Sequence, residues 1–381
     1  MSRLEKIKDL IIYKDGHYNT FPNVIRRSDG TLMVGFRQAT DRQKKFIAGI
    51  NKNFGKVTHI DSTSKAVYVT SKDEGATWEQ KVNIIYDDFV YGVQDPCLNQ
   101  LADGTIFTTF FMWKIFKKKD IKEILPSDRI IDDKYIARMD DAYSIRSFDG
   151  GNTWDEPVPI QYPGKHYICV RGNIAVLDDG AIVLPVYGDN IAGETSKVVL
   201  LKTYDKGRSW EKLSVIPQVE GYGYYEPNIF KTESGKLVAF IRTHKIGGKS
   251  VYEPDSVKMT PLITCESFDD GKTWTQPATR EIYSPSPFHP LRLKSGNVIL
   301  TYGYRYKLYG LRAILLNAEC NNFDEAEEVI LRDDGLGTDI GYTCSVLLNN
   351  GDVLITYYYF DEENGYRYIA GTICREVPSS I

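Results

Sequence analysis

The sequence predicts an all-β protein, a six-bladed β-propeller of four-stranded antiparallel blades, and three observations carry that prediction. One eight-residue motif occurs four times, a hairpin signature occurs six times, and the two interleave along the chain. Repeats at a coarse period indicate units that bury their faces against their neighbours.

The eight-residue motif reads S/T-x-D-x-G-x-T/S-W. Its copies are Ser71-Lys-Asp73-Glu-Gly75-Ala-Thr77-Trp78, Ser147-Phe-Asp149-Gly-Gly151-Asn-Thr153-Trp154, Thr203-Tyr-Asp205-Lys-Gly207-Arg-Ser209-Trp210 and Ser267-Phe-Asp269-Asp-Gly271-Lys-Thr273-Trp274. They hold four of the five tryptophans. Asp and Gly two apart suit a tight turn, because the carboxylate accepts nearby backbone N–H groups and Gly takes positive φ. The Trp buries a large ring between sheets. The motif is a hairpin staple, and a catalytic or calcium-binding role for its Asp is the lesser reading.

The hairpin signature is a polar-Gly turn between β-forming runs. Its glycines are Gly30, Gly104, Gly180, Gly235, Gly296 and Gly351, spaced 74, 76, 55, 61 and 55 residues apart. In each of the first four units a staple follows the hairpin. Asn321-Asn-Phe323-Asp324 reads as a degenerate fifth staple. Two hairpins per unit make a four-stranded sheet, and six such sheets set radially make a propeller. The first two units are longest and carry insertions.

Length alone, 381 residues, allows two or three domains, but the repeat assigns residues 1–381 to one propeller. Tyrosine at 26 and phenylalanine at 16 suit strands. A net charge of −4 argues against nucleic acid as the main partner. The run Lys117-Lys118-Lys119 falls in the second unit's insertion and reads as a solvated loop. Cys97, Cys169, Cys265, Cys320, Cys344 and Cys374 show no CxxC spacing, so free buried thiols are expected. The N-terminal segment lacks an apolar h-region and no stretch approaches membrane-spanning length, which predicts a cytoplasmic protein without a membrane partner. No metal or phosphate motif is present, and no cofactor is expected.

In a propeller the innermost strands start beside the central channel. Those starts are Asn19-Thr20-Phe21-Pro22, Gln94-Asp95-Pro96, Val170-Arg171-Gly172, Tyr225-Glu226-Pro227, Phe288-His289-Pro290 and Gly341-Tyr342-Thr343. The second strands return to the same face with Arg37, Trp113, Tyr187 and Asp189, Arg242 and His244, Arg305, and Tyr359 with Asp361. A ring holding Asp95, Arg171, Glu226, His289, Tyr342, Arg37, Arg242 and Arg305 is costly to bury without compensation. It points to a site for an anionic or polyhydroxylated ligand.

The staples resemble Asp-boxes, also called BNR repeats, and the layout resembles the sialidase (neuraminidase) superfamily over nearly the full length. That resemblance implies a retaining exo-glycoside hydrolase cleaving a terminal acidic sugar, sialic acid or a relative. It assigns Tyr342 as nucleophile, Glu226 as its base, and Asp61, a dozen residues before Asp73, as acid/base. It also assigns Arg242 and Arg305 to an anionic group, with Arg312 a rival to Arg305. Arg37, Asp95, Arg171 and His289 complete the expected substrate-binding set. One position departs from the pattern: Thr20 stands where the family's first arginine belongs, and Arg37 or Arg171 could replace it. The alternatives are a hydrolase or lyase acting on another acidic sugar, with His289 and Tyr342 as base and acid, and a non-catalytic glycan-binding propeller.

Overall fold

Six antiparallel sheets follow one another in the computed structural model, which describes residues 2–39, 60–88, 90–125, 128–162, 168–188, 195–247, 258–362 and 366–378. Blade 1 runs Tyr18–Arg26, Leu32–Ala39, Lys65–Ser71 and Asn83–Tyr86 from the axis outward. Blade 2 uses Gly92–Gln100, Ile106–Lys117, Tyr135–Ser147 and Val158–Pro159, with the short strand Arg129–Ile130 added to its third. In blade 3 the inner strand is split into Ile168–Val170 and Ala175–Val176, followed by Ile182–Gly188, Lys197–Thr203 and Glu211–Val215. Blades 4 and 5 are Tyr222–Lys231, Leu237–Lys245, Pro261–Ser267, Ala278–Tyr283 and Phe288–Arg292, Val298–Tyr304, Gly310–Leu316, Glu328–Arg332. Blade 6 takes Gly341–Leu347, Val353–Tyr359 and Tyr368–Pro378, and its outer edge is the N-terminal strand Ser2–Tyr13. The inner strands of blades 6 and 1 meet, which closes the ring.

Burial follows position in the blade. The second strands Leu32–Ala39, Ile182–Gly188 and Val353–Tyr359 are buried at every residue, because neighbouring blades cover both faces. Outer strands such as Glu211–Val215 are largely exposed. All six cysteines are buried and none forms a disulfide among the described residues.

The staples join third and fourth strands at one end of the blades. In the first copy Asp73 Oδ1 accepts the Thr77 N–H at 2.8 Å and the Ser71 hydroxyl at 2.8 Å, while Ser71 Oγ accepts the Gly75 N–H at 2.9 Å. Hydrogen bonds from the Thr77 hydroxyl and N–H pull the Asp73 carboxyl down to about 2. Each staple glycine lies against the preceding blade: Gly75 on Leu354, Gly151 on Met33, Gly207 on Phe107 and Gly271 on Leu200. The staple therefore fastens sheet to sheet as well as strand to strand. Trp78 and Trp210 are buried, while Trp154 and Trp274 are half-buried. The degenerate copy sits in the same place in blade 5: Asn322 Oδ1 accepts the Asn317 N–H at 2.8 Å, and buried Phe323 packs at 6.3 Å from Phe240 of blade 4.

Candidate active site

The opposite end of the blades carries a second repeat, one of backbone shape. In blades 1, 2, 4 and 6 the ladder between first and second strands skips at Thr20/Asn23, Gln94/Cys97, Tyr225/Asn228 and Gly341/Cys344. Each skip is a bulge whose first residue is left-handed: Phe21 at φ 55°, Asp95 at 49°, Glu226 at 42° and Tyr342 at 58°. Non-glycine residues in this region carry roughly 1–3 kcal/mol of strain each and gather at functional sites. Proline follows three of them, a residue tolerated at bulges because its missing N–H costs no ladder bond. The bulge bends the strand and re-aims its side chain.

Two of these side chains meet directly, with Arg242 of blade 4's second strand beside them. The Tyr342 hydroxyl donates to Glu226 Oε1, and Arg242 Nη1 pairs with Glu226 Oε2 and donates to the Tyr342 oxygen at 3.0 Å. The hydroxyl–carboxylate contact is the one a tyrosine nucleophile with a glutamate base requires. Burial, with the Glu226 charge beside it, raises the Tyr342 phenol well above its ordinary value, while Arg242 and Arg305 pull the other way. Arg242 Nη2 lies 2.8 Å from His244 Nε2. Arg can only donate, so Nε2 accepts and the His244 proton sits on Nδ1. Burial and Arg242 push that imidazole down to about 3, and Tyr225 packs against it at a tilt, 4.7 Å between ring centres.

Asp95 occupies the corresponding bulge in blade 2. Its carboxyl is buried, and Oδ1 has no hydrogen-bond partner among the described residues. Burial pushes it up to about 7, against the pull of Arg171, Arg37 and Arg242 and with the push of Glu226.

The remaining expected residues divide. Arg305 comes to the phenol, with Cζ 5.1 Å from the Tyr342 ring centroid, and donates to the Ile340 carbonyl at 2.9 Å and the Tyr358 hydroxyl at 2.8 Å. Its rival Arg312 bonds the Arg332 carbonyl between outer strands instead. Arg37 stands opposite Thr20 in the ladder, with Nη1 3.5 Å from Thr20 Oγ1 and Nε 3.2 Å from the Val93 carbonyl. A guanidinium thus occupies the neighbourhood of the missing arginine. Arg171 reaches the same neighbourhood from blade 3, and its donors go to main-chain oxygens.

Asp61 is buried at the entry to blade 1's third strand. Its Oδ1 accepts the Thr63 N–H at 2.9 Å and hydroxyl at 2.7 Å. Ser64 Oγ bridges the Asp61 and Val93 carbonyls, and Val93 is also the residue Arg37 grips. His289 lies with Asn173 at 3.0 Å and Cys344 at 3.3 Å from Nε2, and burial followed by the Arg171 charge pushes it down to about 3. It makes no hydrogen bond to Tyr342 or Glu226. Asp189 lies outside the described residues.

Two residues were missed by sequence reasoning. Tyr358, not Tyr359, faces the channel: its ring is 5.9 Å from Tyr342, while the Tyr359 hydroxyl bonds Asp334 at 3.0 Å in the outer core. Tyr357, Tyr358 and Tyr359 stand in succession on an unbroken strand, so residue type carried no mark of which ring faces inward. Phe21 also went unassigned. Its ring packs edge-on to Tyr342 at 4.7 Å and Tyr358 at 5.3 Å, and proline after an aromatic at a strand start was the available signal.

The model of the BNR repeat-like domain family matches residues 134–355. A protein of unknown function from Dyadobacter fermentans is 31% identical, over 98% of this chain and 99% of that one, with a TM-score of 0.84. A NanB sialidase variant from Streptococcus pneumoniae shares the fold at 13% identity, over 96% of this chain and 70% of that one, with a TM-score of 0.64. An α-L-arabinofuranosidase variant from Fusarium graminearum does so at 13% identity, over 97% and 98%, with a TM-score of 0.65. No curated protein matches the chain.

Proposed function

This chain belongs to the BNR repeat-like family, and on that premise we propose that it is a retaining exo-glycoside hydrolase acting on a terminal acidic sugar, sialic acid or a relative. The single observation that carries the reading is the buried contact of the Tyr342 hydroxyl with the Glu226 carboxylate. A phenol is a weak nucleophile at its ordinary pKa of about 10 and needs an adjacent base. Glu226 takes the proton as Tyr342 Oη attacks the anomeric carbon. Asp61 protonates the departing glycosidic oxygen and later removes a proton from water. That water displaces the tyrosine, which recovers its proton from Glu226. A tyrosine nucleophile suits a sugar that carries a carboxylate on the reacting carbon, since a carboxylate nucleophile would be repelled there.

The preference for an acidic sugar rests on charge. Four buried guanidiniums, Arg37, Arg171, Arg242 and Arg305, surround two buried carboxyls, Glu226 and Asp95. Related folds include a sialidase and an arabinofuranosidase, so the fold alone favours neither an acidic nor a neutral sugar. A lyase with His289 as base is disfavoured, because that imidazole faces Asn173 and Cys344.

The test is a panel of chromogenic sialosides, other ulosonides, uronides and neutral glycosides, run with the wild type and Tyr342→Phe. Turnover of an acidic glycoside that falls about a thousand-fold or more in the variant is the expected result. Hydrolysis of neutral members alone moves the substrate class. Activity unchanged in Tyr342→Phe removes the mechanism.

A further inference from the structure

We propose that Arg171 is a positioning residue for the nucleophile: it holds the Tyr342 and Phe21 bulges from across the channel instead of clamping the substrate. The inference deepens the glycosidase reading above and rests on it for its kinetic consequence.

A β-bulge takes carbonyls out of the ladder. Between Gly341 and Cys344, and between Thr20 and Asn23, no residue of the inner strand is in register with its partner. Carbonyls released in this way and buried need donors. Arg171 projects from the break in blade 3's inner strand and supplies them. Its Nη2 lies 3.0 Å from the Pro22 carbonyl and 3.4 Å from that of Tyr342, and its Nη1 lies 3.5 Å from the Phe21 carbonyl. Nη1 also reaches Cys97 Sγ of blade 2 at 3.8 Å. One guanidinium from blade 3 thereby touches blades 1, 2 and 6. Gly172 makes its placement possible: a Cβ there would stand 2.2 Å from the Pro227 carbonyl of blade 4.

Arg171 also acts on the ring. Its Cζ is 5.1 Å from the Tyr342 centroid, the same distance as Arg305 Cζ. The ionisable groups facing this phenol are Glu226 and Arg242 from blade 4, Asp95 from blade 2, Arg305 from blade 5, Tyr358 from blade 6, and Tyr187 and Arg171 from blade 3. Removing Arg171 takes one cation from this set and frees the backbone that aims the nucleophile.

The experiment compares wild type, Arg171→Ala and Arg171→Lys in the full chain with two readouts. The first is kcat and KM on whichever glycoside the panel identifies. The second needs no substrate: a fluorinated tyrosine of low intrinsic pKa is placed at position 342 and titrated by fluorine NMR. A positioning role predicts that Arg171→Ala loses about 100-fold in kcat with KM nearly unchanged. It also predicts a fluorotyrosine midpoint raised by about one unit, an intermediate Lys variant, and partial rescue of the Ala variant by millimolar guanidinium but not ammonium. A KM that rises with kcat unchanged, or a midpoint that is the same in all three proteins, overturns it. If Arg171→Ala does not fold, the Lys variant decides by the same two readouts. If no glycoside is hydrolysed, the glycosidase reading fails while the titration still decides the place of Arg171.

Discussion

The two ends of each blade repeat in different ways. At the staple end the residues themselves recur, so Asp73, Asp149, Asp205 and Asp269 make the same bonds to the same partners. At the channel end only the backbone recurs. Four bulges with φ between 42° and 58° carry Phe21, Asp95, Glu226 and Tyr342, four different side chains. The staple repeats because one structural problem, fastening a blade to the one before it, occurs at every blade. The bulge repeats as a mount in blades 1, 2, 4 and 6, and each of those blades fits a different tool to it. Conformation is shared around the ring and chemistry is divided among the blades.

That contrast can be broken from either end. The largest effect is expected at the channel end: Glu226→Gln keeps the side chain's shape, removes the carboxylate proposed as base, and is expected to lower glycoside turnover about 10²- to 10⁴-fold in steady-state assays. At the staple end the reverse is expected. A Cβ at Gly207 would meet Phe107 at 2.8 Å and Ser144 at 2.9 Å, at a φ of 80°. Gly207→Ala therefore costs roughly 1–3 kcal/mol in denaturant titrations, with kcat per folded molecule retained. Gly180→Ala, where φ is 83° and a Cβ would meet no described atom beyond its chain neighbours within 4 Å, costs only the backbone strain of about 1 kcal/mol.

The smallest effect sharpens the comparison. Asp95 keeps its proton in the folded chain up to about pH 7, whereas an unfolded Asp loses it near pH 4. Between those values the folded state binds more protons, so its stability falls as pH rises. Asp95→Asn removes that dependence. Melting curves should show the variant a few degrees more stable than wild type at pH 8, with the gain disappearing by about pH 4. A site residue whose loss stabilises the chain is the signature of a group held for function.

The fold was legible because staple and hairpin turn leave fixed residue types at fixed spacings. Six blades followed from six turn glycines, and the degenerate staple at Asn322 and Phe323 was found by position. The starts of the inner strands were legible too, which placed Glu226, Tyr342 and Arg242 near one another before any coordinates. What the sequence hid was phase. Along the run Tyr357-Tyr358-Tyr359 residue type does not say which ring faces inward, so Tyr359 was expected where Tyr358 stands, and the bulges of the inner strands were hidden as well. Proline after Phe21, Asp95 and Glu226 was the only trace of those bulges, and blade 6 has Thr343 in its place. The role of Arg171 was hidden for another reason: the oxygens it bonds are main-chain carbonyls, which carry no mark in the sequence.

The strand Ser2–Tyr13 lies beside Tyr368–Pro378, with Leu4 opposite Glu376 and Tyr13 opposite Ile369. Of the strands in this ring, the earliest in the sequence is thus paired with the latest. While the rest of the ring is being made, blade 6 does not exist and the leading strand waits as an open edge. Tyr342 belongs to that late blade, so a nascent chain can have five blades in place and still lack the partner of Glu226. Cysteine pairs or proteolytic nicks between these two strands would act on the final join, as a clasp acts on a necklace.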